Sequence, residues 1–180
     1  MPEELIIQQA SPTLAGLKTG SLFTCPFQSE QQLRKEIEQL NQRLAPKGVQ
    51  VRILRLKRRA LLYLYRPEHL QKDFAESDVA EILRSYGYST GDVESCVLRL
   101  RERIRDGGAF PHEVGLFLGY PPEDVRGFIE GSVCKCVGCW KVYGDEVSAK
   151  RRFAQFQKCT RVYSSLYQRG RSIERLTVKS

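Results

Sequence analysis

The 180-residue chain lacks any apolar run long enough to cross a membrane. Its first apolar stretch, LIIQQ, is too short and too polar for the core of a signal peptide. A cytoplasmic protein with no membrane partner is therefore expected. The sequence also lacks the paired C-x-x-C knuckles of a structural zinc site, although it holds six cysteines. In a reducing compartment those six read as thiols or metal ligands, not as a disulfide framework. A phosphate loop is excluded too. Lys18-Thr19-Gly20 has suitable residue types, but the upstream glycine and its four-residue spacing are missing. Lys18 stays a candidate for holding an anion.

What is present suits a globular protein. A hydrophobic share of 41% and a charged share of 28% argue against disorder. The length fits one domain over residues 1–180: a strand-rich part with one helix over 1–66, and a mainly helical part with one strand over 67–180. The net charge of +8 admits two readings, a solvated basic face or acidic partners. Acidic partners would be an anionic small molecule or, as a lesser alternative, nucleic acid.

The periodicity predicts the elements. Pro12 suits the first turn of a small helix over Leu14 and Leu17, and Ser21–Cys25 reads as a strand ended by Pro26. Residues 29–45 form the clearest helix. Ser29 and Gln32 have capping-box spacing, Leu33, Ile37, Leu40 and Leu44 make one stripe, and Pro46-Lys47-Gly48 stops it. VQVRILRL alternates and ALLYLY is continuously apolar, which predicts a hairpin whose second strand is the more deeply buried. Arg52, Arg55, Lys57, Arg58 and Arg59 crowd its tip, either guarding an edge or contacting phosphates. Two amphipathic helices follow, one over Val79–Tyr86 closed by Gly87 and one over Val93–Ile104 closed by Gly107-Gly108.

Residues 110–145 carry the chemistry. Pro111 fits the first position of a helix, which would put His112 and Glu113 in its first turn. There the helix dipole favours a neutral imidazole, the form a general base or a metal ligand needs. Glu113 and Lys18 are the assisting catalytic candidates. After a Gly-Tyr-Pro-Pro corner and a second short helix comes Cys134-Lys135-Cys136-Val137-Gly138-Cys139. With Cys159 from the last helix, these thiols could ligate zinc or an iron–sulfur cluster, and Lys135 and Lys141 would favour their ionisation. Trp140, Val142 and Tyr143 read as a strand, and residues 146–168 as a long basic C-terminal helix. Tyr120, Trp140 and Lys141 are the ligand-binding candidates. The fold expected is α+β: a small, mostly antiparallel sheet from segments near 21–25, 49–56, 60–65 and 139–143, packed with several helices.

FPHEVGLFLGYPPEDVRGFIE, followed by CKCVGCWKVYGD, resembles a family of small bacterial proteins known only as a domain of unknown function and met chiefly in anaerobes. The similarity extends to SPTLAGLKTGSLF near the start and KCTRVYSSLYQRGRSIERLTV near the end. The resemblance implies a single-domain protein of a bacterial cytoplasm and brings no reaction or cofactor. The residues support three functions: binding of a small ligand or metal around His112 and the cysteine turn, catalysis with His112 as base, or nucleic-acid binding through the basic surface.

Overall fold

The apolar run ALLYLY becomes strand β3 (Ala60–Tyr65), buried along its whole length. In the computed structural model, which describes residues 3–105 and 109–179, β3 is the middle strand of a three-stranded antiparallel sheet. Strand β1 (Gly20–Cys25) lies on one side of it and β2 (Gln50–Leu56) on the other, so that Leu62 faces both Phe23 and Ile53. Successive side chains of β3 enter opposite cores, as the strand pleat requires. Leu61, Tyr63 and Tyr65 join one core, while Ala60, Leu62 and Leu64 join the other. A strand covered on both faces has no polar side to show, and this explains its unbroken apolar pattern.

Helices α1 (Glu3–Leu14) and α2 (Glu30–Leu44) cover the Leu62 face. Helices α3 (Pro67–Ala75), α4 (Ser77–Ser85) and α5 (Val93–Arg105) cover the Tyr63 face. The protein is thus α+β, as its sequence predicts. Half of the capping box holds: the Ser29 hydroxyl accepts the Gln32 backbone N–H at 3.2 Å, while the Gln32 amide donates to Glu36 at 2.9 Å instead of reaching back. A single 3-10 turn (Ala45–Lys47) and the left-handed Gly48 (φ 74°) end α2. The outer edge of β2 is guarded by α2: the Asn41 amide accepts from the Val51 N–H at 2.7 Å and donates to the Val51 carbonyl at 3.0 Å. That side chain stands where a fourth strand would pair.

Three expectations need correction. Pro12 lies in the last turn of α1, not the first turn of a new helix. Ile6, Ile7, Ala10 and Leu14 are all buried in one core, and that burial carries the helix through a residue that has no N–H to give. His112 and Glu113 precede the next helix, α6 (Val114–Phe117), instead of forming its first turn. The segment near 139–143 does not join the main sheet. It forms β5 (Lys141–Val142), which pairs only with β4 (Cys136–Val137) in a separate hairpin. Gly107 and Gly108, expected to close α5, lie outside the described residues.

The remaining elements are α7 (Pro122–Ile129), the long α8 (Glu146–Gln168) and α9 (Ile173–Leu176). Ala149, Phe153 and Phe156, in the first half of α8, pack on the hairpin, while Tyr163, Leu166 and Tyr167 in its second half pack toward α1. Arg66, at the start of α3, is buried and gathers carbonyl oxygens of Thr13, Leu14 and Val178, each at 2.7 Å. Its charge meets the C-terminal end of α1, where carbonyls lack helix partners. Among the described residues no helix is long and apolar enough to cross a membrane.

Candidate functional site

The corner between α6 and α7 places Tyr120 at the meeting point of three segments. Gly119 makes the turn with a φ of 73°, and a Cβ there would sit 2.8 Å from Thr19 Oγ1, so both conformation and space call for glycine. Tyr120 then stacks on Trp140, with ring centroids 4.7 Å apart, and its hydroxyl donates to the Cys139 carbonyl at 3.3 Å. Lys18 Nζ lies 5.5 Å from the centre of the Tyr120 ring. The cysteine turn and the Lys18 loop therefore both reach one tyrosine.

Asp124 fixes the hairpin against α7. Its buried carboxylate accepts three N–H donors, from Trp140 Nε1, the Tyr143 backbone and the Gly144 backbone, each at 2.7 Å. Three such bonds satisfy a buried anion that would otherwise be costly. Trp140 is thereby held between Tyr120, the Phe153 edge at 4.5 Å and the Arg152 guanidinium at 5.2 Å. Gly138 allows the hairpin tip to close over Phe153, because a Cβ there would lie 2.2 Å from that ring.

A cavity of about 480 Å³ opens beside this assembly, lined by His112, Tyr120, Trp140 and Lys141 together with an apolar wall that includes Leu118 and Val125. Its two basic groups meet at Phe128. The His112 ring is edge-on to Phe128 at 5.0 Å, and Lys141 Nζ lies 5.4 Å from the same ring. A second cavity, of about 420 Å³, uses the same Tyr120 and is the more charged, with Lys18, Thr19, His69, Asp73 and Arg152 in its wall beside Leu116, Pro121 and Pro122. Burial pulls the Lys18 ammonium down to about 8 and lowers His69, while it raises Asp73.

Several sequence candidates fall elsewhere. Glu113 is fully buried and accepts from Tyr88 Oη at 2.8 Å and Arg103 Nε at 2.6 Å, so it is enclosed in the fold beside neither His112's cavity nor Lys18's. Lys18 and His112 line different cavities and so do not form one acid–base set. Cys134 and Cys136 are half-buried, Cys139 is exposed at the tip, and Cys159 is buried within α8. Among the described residues no three His, Cys, Asp or Glu side chains are grouped to hold a metal ion. Lys135 Nζ donates to the Gly144 carbonyl at 2.6 Å, and Lys141 stands over Phe128. Burial pushes Cys139 up and Cys159 up to about 11, which keeps both as thiols. The basic hairpin tip is divided as well, since Arg52 pairs with Glu94 at 2.7 Å and Arg59 folds back on Thr24 at 3.0 Å.

Sequence reasoning missed His69, Asp73, Arg152 and Asp124. His69 and Asp73 stand four apart on α3, a spacing that puts both on one helix face and could have flagged them. Arg152 looked like one more charge on a solvated face but turns inward, donating to the Gly119 carbonyl at 3.1 Å. Asp124 looked like an ordinary first-turn acid, and nothing in its own helix reveals the hairpin donors it serves.

Compared with known proteins, the chain matches the family model described as "Protein of unknown function (DUF3793)" over residues 6–177. Neither the search of curated proteins nor that of solved structures gives a match.

Proposed function

The chain belongs to this family of proteins of unknown function, and from that premise we propose that it is a cytoplasmic protein that binds a small ligand in the cavity of His112, Tyr120, Trp140 and Lys141. One observation carries the reading. Four residues from three separate segments line a single mainly apolar cavity, with its basic groups gathered at Phe128. Ligand sites commonly combine an apolar wall with a few convergent polar groups. The chemistry suits a flat apolar body against the Leu118, Val125 and Trp140 wall and an acidic group toward Lys141 and His112. All six cysteines are free thiols, in keeping with a reducing compartment.

The sole tryptophan lies in the cavity wall, so it reports directly on occupancy. Anilinonaphthalene sulfonate has the required flat body and anionic group. Titrating it into folded protein should give saturable energy transfer from Trp140. Lys141→Met should weaken the dye severalfold, and His112→Phe should also weaken it. Absence of saturable transfer, or affinity unchanged in both variants, would remove the reading.

A further inference from the structure

The cavity on the other side of Tyr120 contains two cations, Lys18 and Arg152, that form no ion pair among the described residues. Among the described residues Lys18 Nζ has no hydrogen bond or ion pair, and its contact is with the Tyr120 ring. The charged group that acts most nearly on it besides Cys139 is Arg152, another cation, which disfavours its protonation. Cys139 does not neutralise it, because burial keeps that sulfur protonated. Among the described residues Arg152 makes no ion pair: it is held by the Gly119 carbonyl and the Trp140 ring, and the Asp73 carboxylate in the same cavity acts on it only through space. The cavity's inner carboxylate, Asp73, is already engaged by the Thr19 hydroxyl at 2.5 Å. Glu76 and Asp78 are exposed at the rim.

We infer that Lys18 and Arg152 form a binding site for the phosphate group of a small molecule, seated in the cavity of about 420 Å³ that both line. A guanidinium offers paired donors to two oxygens, an ammonium meets a third, and the His69 imidazole lines the same wall as a further donor. A tetrahedral dianion uses this number of donors from separate directions, whereas a carboxylate would be saturated by Arg152 alone. The phosphate also relieves the repulsion between the two cations, which gives the site a reason to fill. The two cavities share Tyr120, but this inference does not rest on what the apolar cavity binds.

Lysine acylation followed by peptide mass spectrometry tests the proposal near pH 8, where Lys18 is half deprotonated. Lys18 should label faster than exposed lysines such as Lys158. Inorganic phosphate should slow that labelling severalfold, while chloride and acetate at equal ionic strength should not. Arg152→Met should abolish the protection, and Arg152→Lys, which keeps the charge, should retain part of it. Far-UV circular dichroism confirms that each variant is folded. Equal protection by chloride marks a general salt effect and equal protection by acetate marks a carboxylate site. Either result, absence of protection, or protection that persists in folded Arg152→Met overturns the proposal.

Discussion

The three-stranded sheet and the β4–β5 hairpin are stabilised in different ways. The sheet is held by area: β3 is buried on both faces, and each face has its own large apolar core. The hairpin has strands of two residues each, and its cluster of buried side chains is small: Trp140, Val142, Ala149, Phe153 and Phe156. Strands that short contribute little pairing or burial of their own. One carboxylate, Asp124, takes the place of that missing area by binding the Trp140 indole and the backbone N–H groups of Tyr143 and Gly144 that follow it. Trp140, held by this carboxylate, lines the apolar cavity, so the geometry of the candidate site depends on a polar contact as well as on apolar packing.

Asp124→Ala should break the contrast most directly. Three buried or half-buried donors would lose their acceptor, at a cost of about 4 kcal/mol. The damage should be local. In a denaturant titration, Trp140 emission should shift to the red before far-UV circular dichroism loses the sheet and helices. If the two signals moved together, the hairpin would be part of the same cooperative unit as the sheet. Leu62→Ala is the opposite probe. It opens a cavity at the centre of β3 and should cost about 3 kcal/mol, with both signals moving together.

That division also explains what could be read from the sequence. The sheet was legible because its causes are local: alternation in β2, a continuous run in β3, a turn of three basic residues between them, and a serine cap before α2. The long helix over 146–168 was legible for the same reason. The hairpin was not, since Trp140-Lys141-Val142 has strand character but its partner, Cys136-Val137, is hidden in a run that reads as metal chemistry. The site was half legible. Tyr120, Trp140, Lys141 and His112 drew notice as rare or turn-adjacent residues, and one cavity contains all four. Glu113 drew notice by adjacency to His112, but neighbours in a turn point apart, and its partners Tyr88 and Arg103 belong to the α5 side of the core. Arg152 and Asp124 act across the tertiary structure, where no sequence spacing shows the relation.

Lys18 sharpens the comparison through pH. Its amine, lowered by burial from 10.5 to about 8, carries an uncompensated charge next to the hairpin. Because the folded value lies below the unfolded one, the unfolded chain binds the proton more tightly. The cost is complete below pH 8 and fades as pH rises toward 10.5. Lys18→Met should therefore stabilise the protein at pH 7 by at most about 3 kcal/mol, less whatever solvent screening removes. Urea titrations should show the gain shrinking steadily between pH 8 and 10.5. A gain that does not vary with pH would assign the effect to packing and not to charge.

Ser29→Ala is the smallest perturbation and serves as the reference for the others. Its hydroxyl satisfies one exposed donor, the Gln32 N–H, at the start of α2. Losing an N-cap of this kind costs about 1 kcal/mol. Helix α2 supplies Leu33, Ile37, Leu40 and Leu44 to the core beneath β3 and, through Asn41, guards the β2 edge. A frayed first turn should thus lower the stability of the sheet while leaving Trp140 in its place. In thermal unfolding both signals should shift together by a few degrees, and dye binding below the transition should match the unaltered protein. Altered dye affinity in Ser29→Ala would mean that the sheet and the hairpin cavity are coupled, and that the polar hub around Asp124 is not what sets the site.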